Sequence, residues 1–162
     1  MLVIHRSLQQ TMTYHDDAIQ HVDGQAGLDK LLDSLHEQAT HDDYPHSVVI
    51  YAGERYPEEG HGDAGGWIPA DPGDGDRPEL CLVVGAQQSP LYWTSADGAR
   101  STSTGPATSD EPELEYFHGG QESYAPASSL IPTEQAREAA RQFIACNGKR
   151  PGNITWRTAQ PA

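Results

Sequence analysis

The chain has 162 residues, enough to bury a core of its own, and a 36% hydrophobic share that argues against wholesale disorder. Ten Lys and Arg stand against 24 Asp and Glu, a formal net charge of −14, which excludes a surface built to hold a nucleic-acid backbone. No apolar run approaches the ~18 residues of a membrane span, and "MLVI" is too short for a secretory leader. The expectation is a cytoplasmic chain with no membrane contact.

Taken in order, residues 2–14 hold Leu2, Val3, Ile4, Thr11, Thr13 and Tyr14 and predict one or two short strands. "AIQHV", 18–22, alternates as a half-buried strand does, and Asp23 and Gly24 offer a cap for the next element. Leu28, Leu31, Leu32, Leu35 and Ala39 recur at helical spacing. They predict an amphipathic helix with Asp29, Lys30, Asp33 and Glu37 facing water. "HSVVIYAG", 46–53, and "ELCLVVG", 79–85, read as buried central strands. "PLYWTS", 90–95, and "ELEYFHG", 113–119, read as further strands, the latter with Leu114, Tyr116 and His118 on one face.

The intervals 54–78 and 96–112 carry no apolar period and are expected as loops long enough to serve function. A second helix follows "SSLIP", with Pro132 in its first turn and a stripe of Ala136, Ala139, Ala140, Phe143 and Ile144. Gly148 is placed just past its end, with Lys149 and Arg150 near the negative end of its dipole. Ile154 and Trp156 share one face of a last short strand. The expected fold class is α+β: a mainly antiparallel sheet of about six or seven strands with two amphipathic helices, in a single domain spanning 1–162.

Cys81 and Cys146 both lie in apolar patterned segments, and two buried free thiols are expected, one disulfide being the alternative. Phosphate-cradling, dinucleotide, nucleophile-elbow and zinc-protease motifs do not occur. The eight histidines are scattered, and the pair His61 and Asp63 in a Gly-rich acidic stretch reads as solvated. Asp71, Asp74 and Asp76 have calcium-like spacing without the length or terminal glutamate of an EF-hand. Many carboxylates could pair as acid and base, yet nothing singles out one pair, so a hydrolase has no positive signal. No catalytic residue, metal or cofactor is expected. Trp67, in the acidic interval, is either an interface anchor or a loop anchor over the sheet.

The order of elements over 114–156 resembles a known family. An aromatic strand leads to a turn at Gly119 and Gly120, then Glu122, Tyr124 and Pro126, then Ile131 and Pro132. An Ala-rich helix, Gly148, Arg150, Pro151 and a closing Trp156 complete the pattern. This is similar to Immunity protein family 1 of bacterial polymorphic toxin systems, and "GLDKLLDSL" looks like the family's N-terminal half. The interval 54–78 is longer and more acidic than that family's pattern.

The resemblance implies a non-enzymatic antitoxin that binds a cognate secreted toxin domain, often a nucleic-acid or nucleotide deaminase. Such toxins carry basic grooves, and a charge of −14 complements them. The implied complex is a one-to-one heterodimer of an otherwise monomeric protein, with the toxin's active site or substrate groove covered. The candidate contacts are Trp67, Asp71, Asp74, Asp76 and Glu79, supported by Glu113, Glu115 and Tyr116. The alternative is an acidic nucleic-acid mimic acting on a DNA-binding host protein.

Overall fold

In this computed structural model the backbone is described for residues 2–8, 16–22, 24–52, 78–118 and 121–158, and side chains for 24–51, 78–118 and 121–158. His61, Asp63, Trp67, Asp71, Asp74 and Asp76 lie outside the described residues. Strands β1 (Leu2–Leu8) and β2 (Asp16–Val22) precede helix α1 (Gly24–His41) and strand β3 (His46–Ala52). Next come β4 (Glu79–Val84), β5 (Gln88–Ser89), β6 (Leu91–Thr94) and β7 (Arg100–Ser103). The hairpin β8 (Pro112–His118) and β9 (Gln121–Pro126) leads through a 3-10 turn at Ala127–Ser129 into β10 (Ile131–Pro132). Helix α2 (Thr133–Ala145) and β11 (Trp156–Thr158) finish the described chain.

Seven strands run in the order β11-β7-β6-β4-β3-β1-β2, each pair antiparallel, which is the α+β class expected. The β8–β9 hairpin branches from this path beside β3 through one parallel bridge, His46 to Phe117. One strand, β7, carries no sequence signal of the expected kind. In β7, "RSTS", the inward positions are Ser101 and Ser103, buried without apolar alternation. Ser103 Oγ accepts the Leu91 N–H at 2.8 Å and donates to the Ser129 carbonyl at 2.6 Å. Hydrogen bonds thus hold an element that hydrophobic patterning cannot announce.

The helices cover one face of the sheet. Leu28, Leu32, Leu35 and Ala39 of α1 and Ala136, Ala139, Ala140 and Phe143 of α2 pack on Val48, Ile50, Leu80, Leu82, Val84 and Leu91. The α2 alanines permit close approach, as their small size requires. Gly85 (φ 87°) permits another, since a Cβ there would lie 2.6 Å from the Ala39 Cβ.

Asp29, expected to face water, is half-buried against α2, while Asp33 is exposed as expected and still reaches an α2 arginine. Arg137 Nη2 lies 2.6 Å from Asp33 Oδ1 and donates to the Asp29 carbonyl at 3.1 Å, while Arg141 Nε lies 2.8 Å from Asp29 Oδ1. Pro132 stands one residue before the helix rather than in its first turn. Pairing of β10 with β5 holds it extended (ψ 138°), and the Thr133 N–H is taken by the Gln87 carbonyl at 3.1 Å.

At the far end of α2, Asn147 (φ 52°) and Gly148 (φ 87°) both turn left-handed, and the Gly148 N–H closes on the Phe143 carbonyl at 2.8 Å. Arg150 reaches away from the helix end, over the Trp93 ring at 5.7 Å and to Ser101 Oγ at 3.2 Å. Trp93 Nε1–H donates to the Gly148 carbonyl at 3.1 Å, so the turn is pinned to the sheet. Ile154 and Trp156 pack on the main core as expected, although Ile154 precedes β11. Both cysteines are free thiols; Cys81 is buried, but Cys146 is exposed because it is the capping residue beyond α2. Among the described residues no helix is long and apolar enough to cross a membrane.

Candidate interaction surface

Strand alternation splits the β8–β9 hairpin into two unlike faces. Inward, Leu114, Tyr116 and Ala125 pack with Val83 and Leu130 in a small second core. Outward, β8 carries Glu113, Glu115 and Phe117, and β9 carries Glu122 and Tyr124. The register sets Glu115 opposite Tyr124 and Phe117 opposite Glu122. The α1–β3 turn adds Tyr44, whose ring meets Phe117 edge-on at 5.2 Å, with the Phe117 N–H donated to the Pro45 carbonyl at 2.9 Å. Tyr44 and Tyr124 are 55% and 54% exposed, unusual for large rings, and they share this face with three carboxylates.

The face is negative throughout, because residues 112–126 contain no Lys or Arg. The Glu115 carboxylate beside it pushes the Tyr124 phenol above its ordinary range, helped by desolvation and Glu122. Asp110, on the approach to β8, is already engaged. The Ser128 hydroxyl and Arg157, at 3.2 Å, hold its carboxyl below the usual range.

Behind the hairpin lies a cleft of about 410 Å³, walled by the helix-free face of the sheet and the hairpin's inner side. Val49, Cys81, Tyr92 and Thr102 align in register across β3, β4, β6 and β7, and Glu79, Thr94 and Arg100 form a neighbouring row. From the hairpin come Tyr116, His118 and Ser123. Burial pushes up both phenols, Tyr92 and Tyr116, which share a hydrogen bond. Burial first, and Glu79 second, raise the Cys81 thiol to about 12, so it stays protonated and is no nucleophile near neutral pH. Ser47 Oγ lies 2.8 Å from His118 Nδ1, and Thr94 Oγ1–H donates to Glu79 Oε1 at 3.1 Å. Among the described residues no three His, Cys, Asp or Glu are grouped to hold a metal. The arrangement offers recognition through charge and aromatic contact.

Of the residues singled out in the sequence, Glu113 and Glu115 come together on the outer face. Glu79 lies apart from them, on the sheet beside the cleft. Tyr116 does not join Glu113 and Glu115 on the outer face: it is 7% exposed, because alternation turns it inward toward the cleft, where Tyr92 takes its hydroxyl. Tyr44, Phe117, Glu122 and Tyr124 were not among the candidates. A signal for the last two existed, since a Gly-Gly pair in sequence favours a hairpin connection, which would make the residues after it the partner strand of β8.

Residues 16–158 match the family described as Immunity protein Imm1. No curated protein matches the chain.

Proposed function

The chain belongs to the Imm1 family of immunity proteins, the antitoxins of toxin systems, and from that premise we propose how it acts. It binds its cognate secreted toxin domain one-to-one, as a monomer and as one domain, in the cytoplasm of the producing cell. It covers the toxin's active site or substrate groove and performs no chemistry of its own. The toxin is of the nucleic-acid or nucleotide deaminase type, with a basic groove.

The observation that carries this reading is the outer hairpin face, where Glu113, Glu115 and Glu122 surround the exposed rings of Tyr124 and Tyr44. Its carboxylates, and the net charge of −14, steer a basic partner into encounter. Its tyrosines supply amphipathic anchors that lose water on docking. A patch of this kind fits an interface on the order of 1,600 Å². We extend the contact set to Trp67, Asp71, Asp74 and Asp76, on the strength of their charge and aromatic character alone.

The test is calorimetry with the toxin domain encoded beside this gene, across a salt series. Affinity is expected to fall as salt rises, and the triple substitution Glu113→Gln, Glu115→Gln, Glu122→Gln is expected to weaken binding roughly tenfold or more at low salt. Affinity indifferent to both salt and the triple substitution would sink the reading of this face. A deamination assay on single- and double-stranded nucleic acid and on free nucleotides decides the toxin class.

A further inference from the structure

The cleft behind the hairpin differs from the outer face in kind. It is recessed, it is lined by hydroxyls and rings, and its half-buried carboxylate is Glu79. Among the described residues, that carboxylate has one hydrogen bond, from Thr94 to Oε1, and Oε2 has none. A half-buried carboxylate with one oxygen open to a cleft has acceptor capacity that no neighbouring donor uses. It is a good receptor for a cation that brings its own donors.

The other groups of the cleft agree. Tyr92 and Tyr116 place aromatic rings in the walls, which cations prefer to aliphatic ones. Their phenols and the Cys81 thiol stay neutral, so none competes with Glu79 for the charge. Arg100 also lines the cleft, two strands from Glu79 in the same row, but it is exposed, where water and salt screen it, whereas Glu79 is half-buried. His118, also exposed, is already bonded to Ser47 through Nδ1. The volume, about 410 Å³, is near the lower end of the ~300–1,000 Å³ of recognition clefts and suits one long side chain rather than a segment of chain.

We propose that this cleft is a recess for a single cationic side chain of the partner, an arginine or lysine, with Glu79 as its counter-ion and Tyr92 and Tyr116 as its walls. The inference rests on the toxin-binding reading above and gives it a second point of attachment. The outer face steers and covers, while the recess takes one inserted anchor. A desolvated ion pair of this sort holds its strength in salt that weakens the outer face.

Two measurements test it. The first needs no toxin: agmatine, a guanidinium on a short alkyl chain, is titrated into the labelled protein and followed by NMR. Amide shifts are expected at 79–82, 92–94 and 116–118 for the wild type and not for Glu79→Gln; their absence in the wild type overturns the recess. The second is toxin binding by Glu79→Gln and by Ser123→Trp, which fills the cleft from β9 without touching the outer face. Each, once its melting curve matches the wild type, is expected to weaken binding on the order of 10- to 100-fold, with the loss persisting at high salt. Wild-type affinity in both folded variants overturns the proposal. Agmatine seating in the cleft of a protein that binds no toxin would instead overturn the toxin reading and leave the recess standing as a cation site.

Discussion

Glu115 and Tyr124 face each other directly across the β8–β9 hairpin, and the carboxylate holds the phenol above its ordinary pKa. The neighbouring carboxylate is the first cause of that rise, with desolvation second, so the coupling reports mainly the potential of the surface. Glu115→Gln is therefore expected to bring the Tyr124 phenol back down toward the ordinary value, read by ultraviolet titration against a Tyr124→Phe reference. Tyr124→Ala is expected to leave the melting temperature nearly unchanged and to weaken toxin binding about tenfold or more, as interface anchors do. A tyrosine that titrates identically with and without Glu115 contradicts the electrostatic picture. Unaltered affinity contradicts the anchor.

Much of this fold can be read where burial leaves a period in the sequence. The α1 leucines, the β-branched run of β3 and the apolar run of β4 each bury a regular face, and each element was expected near its observed place. β7 was not, because its inward residues are serines whose hydroxyls replace apolar contact with hydrogen bonds to Leu91 and Ser129. The surface follows the same rule. Glu113 and Glu115 were visible as charge, but the burial of Tyr116 was not, because an aromatic on a strand gives no indication of which face is covered. Only pairing with β9 and the second core around Val83 decides that. Tyr44 joins the face through a contact between the α1–β3 turn and β8, far apart in sequence, which no local pattern encodes.

Gly105 marks the close crossing that lets the segment before β8 pass the segment before β10. Its N–H donates to the Ser128 carbonyl at 2.7 Å, and a Cβ there would fall 1.9 Å from the Leu130 carbonyl oxygen. Backbone, unlike the end of a flexible side chain, cannot swing aside. Gly105→Ala is expected to cost about 2–4 kcal/mol, lowering the melting temperature by roughly 5–15 °C. Calorimetric melting checks it; a variant within about 1 °C of wild type means the crossing is looser than the geometry requires.

Arg137 joins the two helices through Asp33 and the Asp29 carbonyl, and its side chain is 15% exposed against 66% for Asp33. The partner's exposure means that solvent screens much of the ion pair, so most of the value lies in the packed stem of Arg137 and its backbone contact. Arg137→Ala is accordingly expected to cost about 1–3 kcal/mol in urea unfolding, and Asp33→Asn under ~1 kcal/mol. The double-mutant cycle should return a coupling below ~1 kcal/mol that shrinks with salt. A large, salt-independent coupling would show that the pair is drier than its exposure implies.

The two thiols are expected to separate sharply in reactivity. Cys146, exposed beyond α2, is open to reagent, whereas Cys81 is buried in the sheet with its thiol raised to about 12. Ellman's reagent at neutral pH should therefore count one thiol in the native protein and two in guanidinium. The shifted group also fixes a sign for stability. Its folded pKa lies above the unfolded value of 9.0, so its contribution is fully present below pH 9. Between pH 9 and about 12 the unfolded chain ionises first, and stability falls by up to ~1.4 kcal/mol per pH unit from this group. Cys81→Ala removes that slope: once the buried-volume loss common to both pH values is subtracted, the variant should match the wild type at pH 8 and exceed its stability at pH 10.5. Native labelling of both cysteines at pH 7, or an alkaline slope unchanged in Cys81→Ala, would mean that the cleft floor opens to solvent far more readily than its packing suggests.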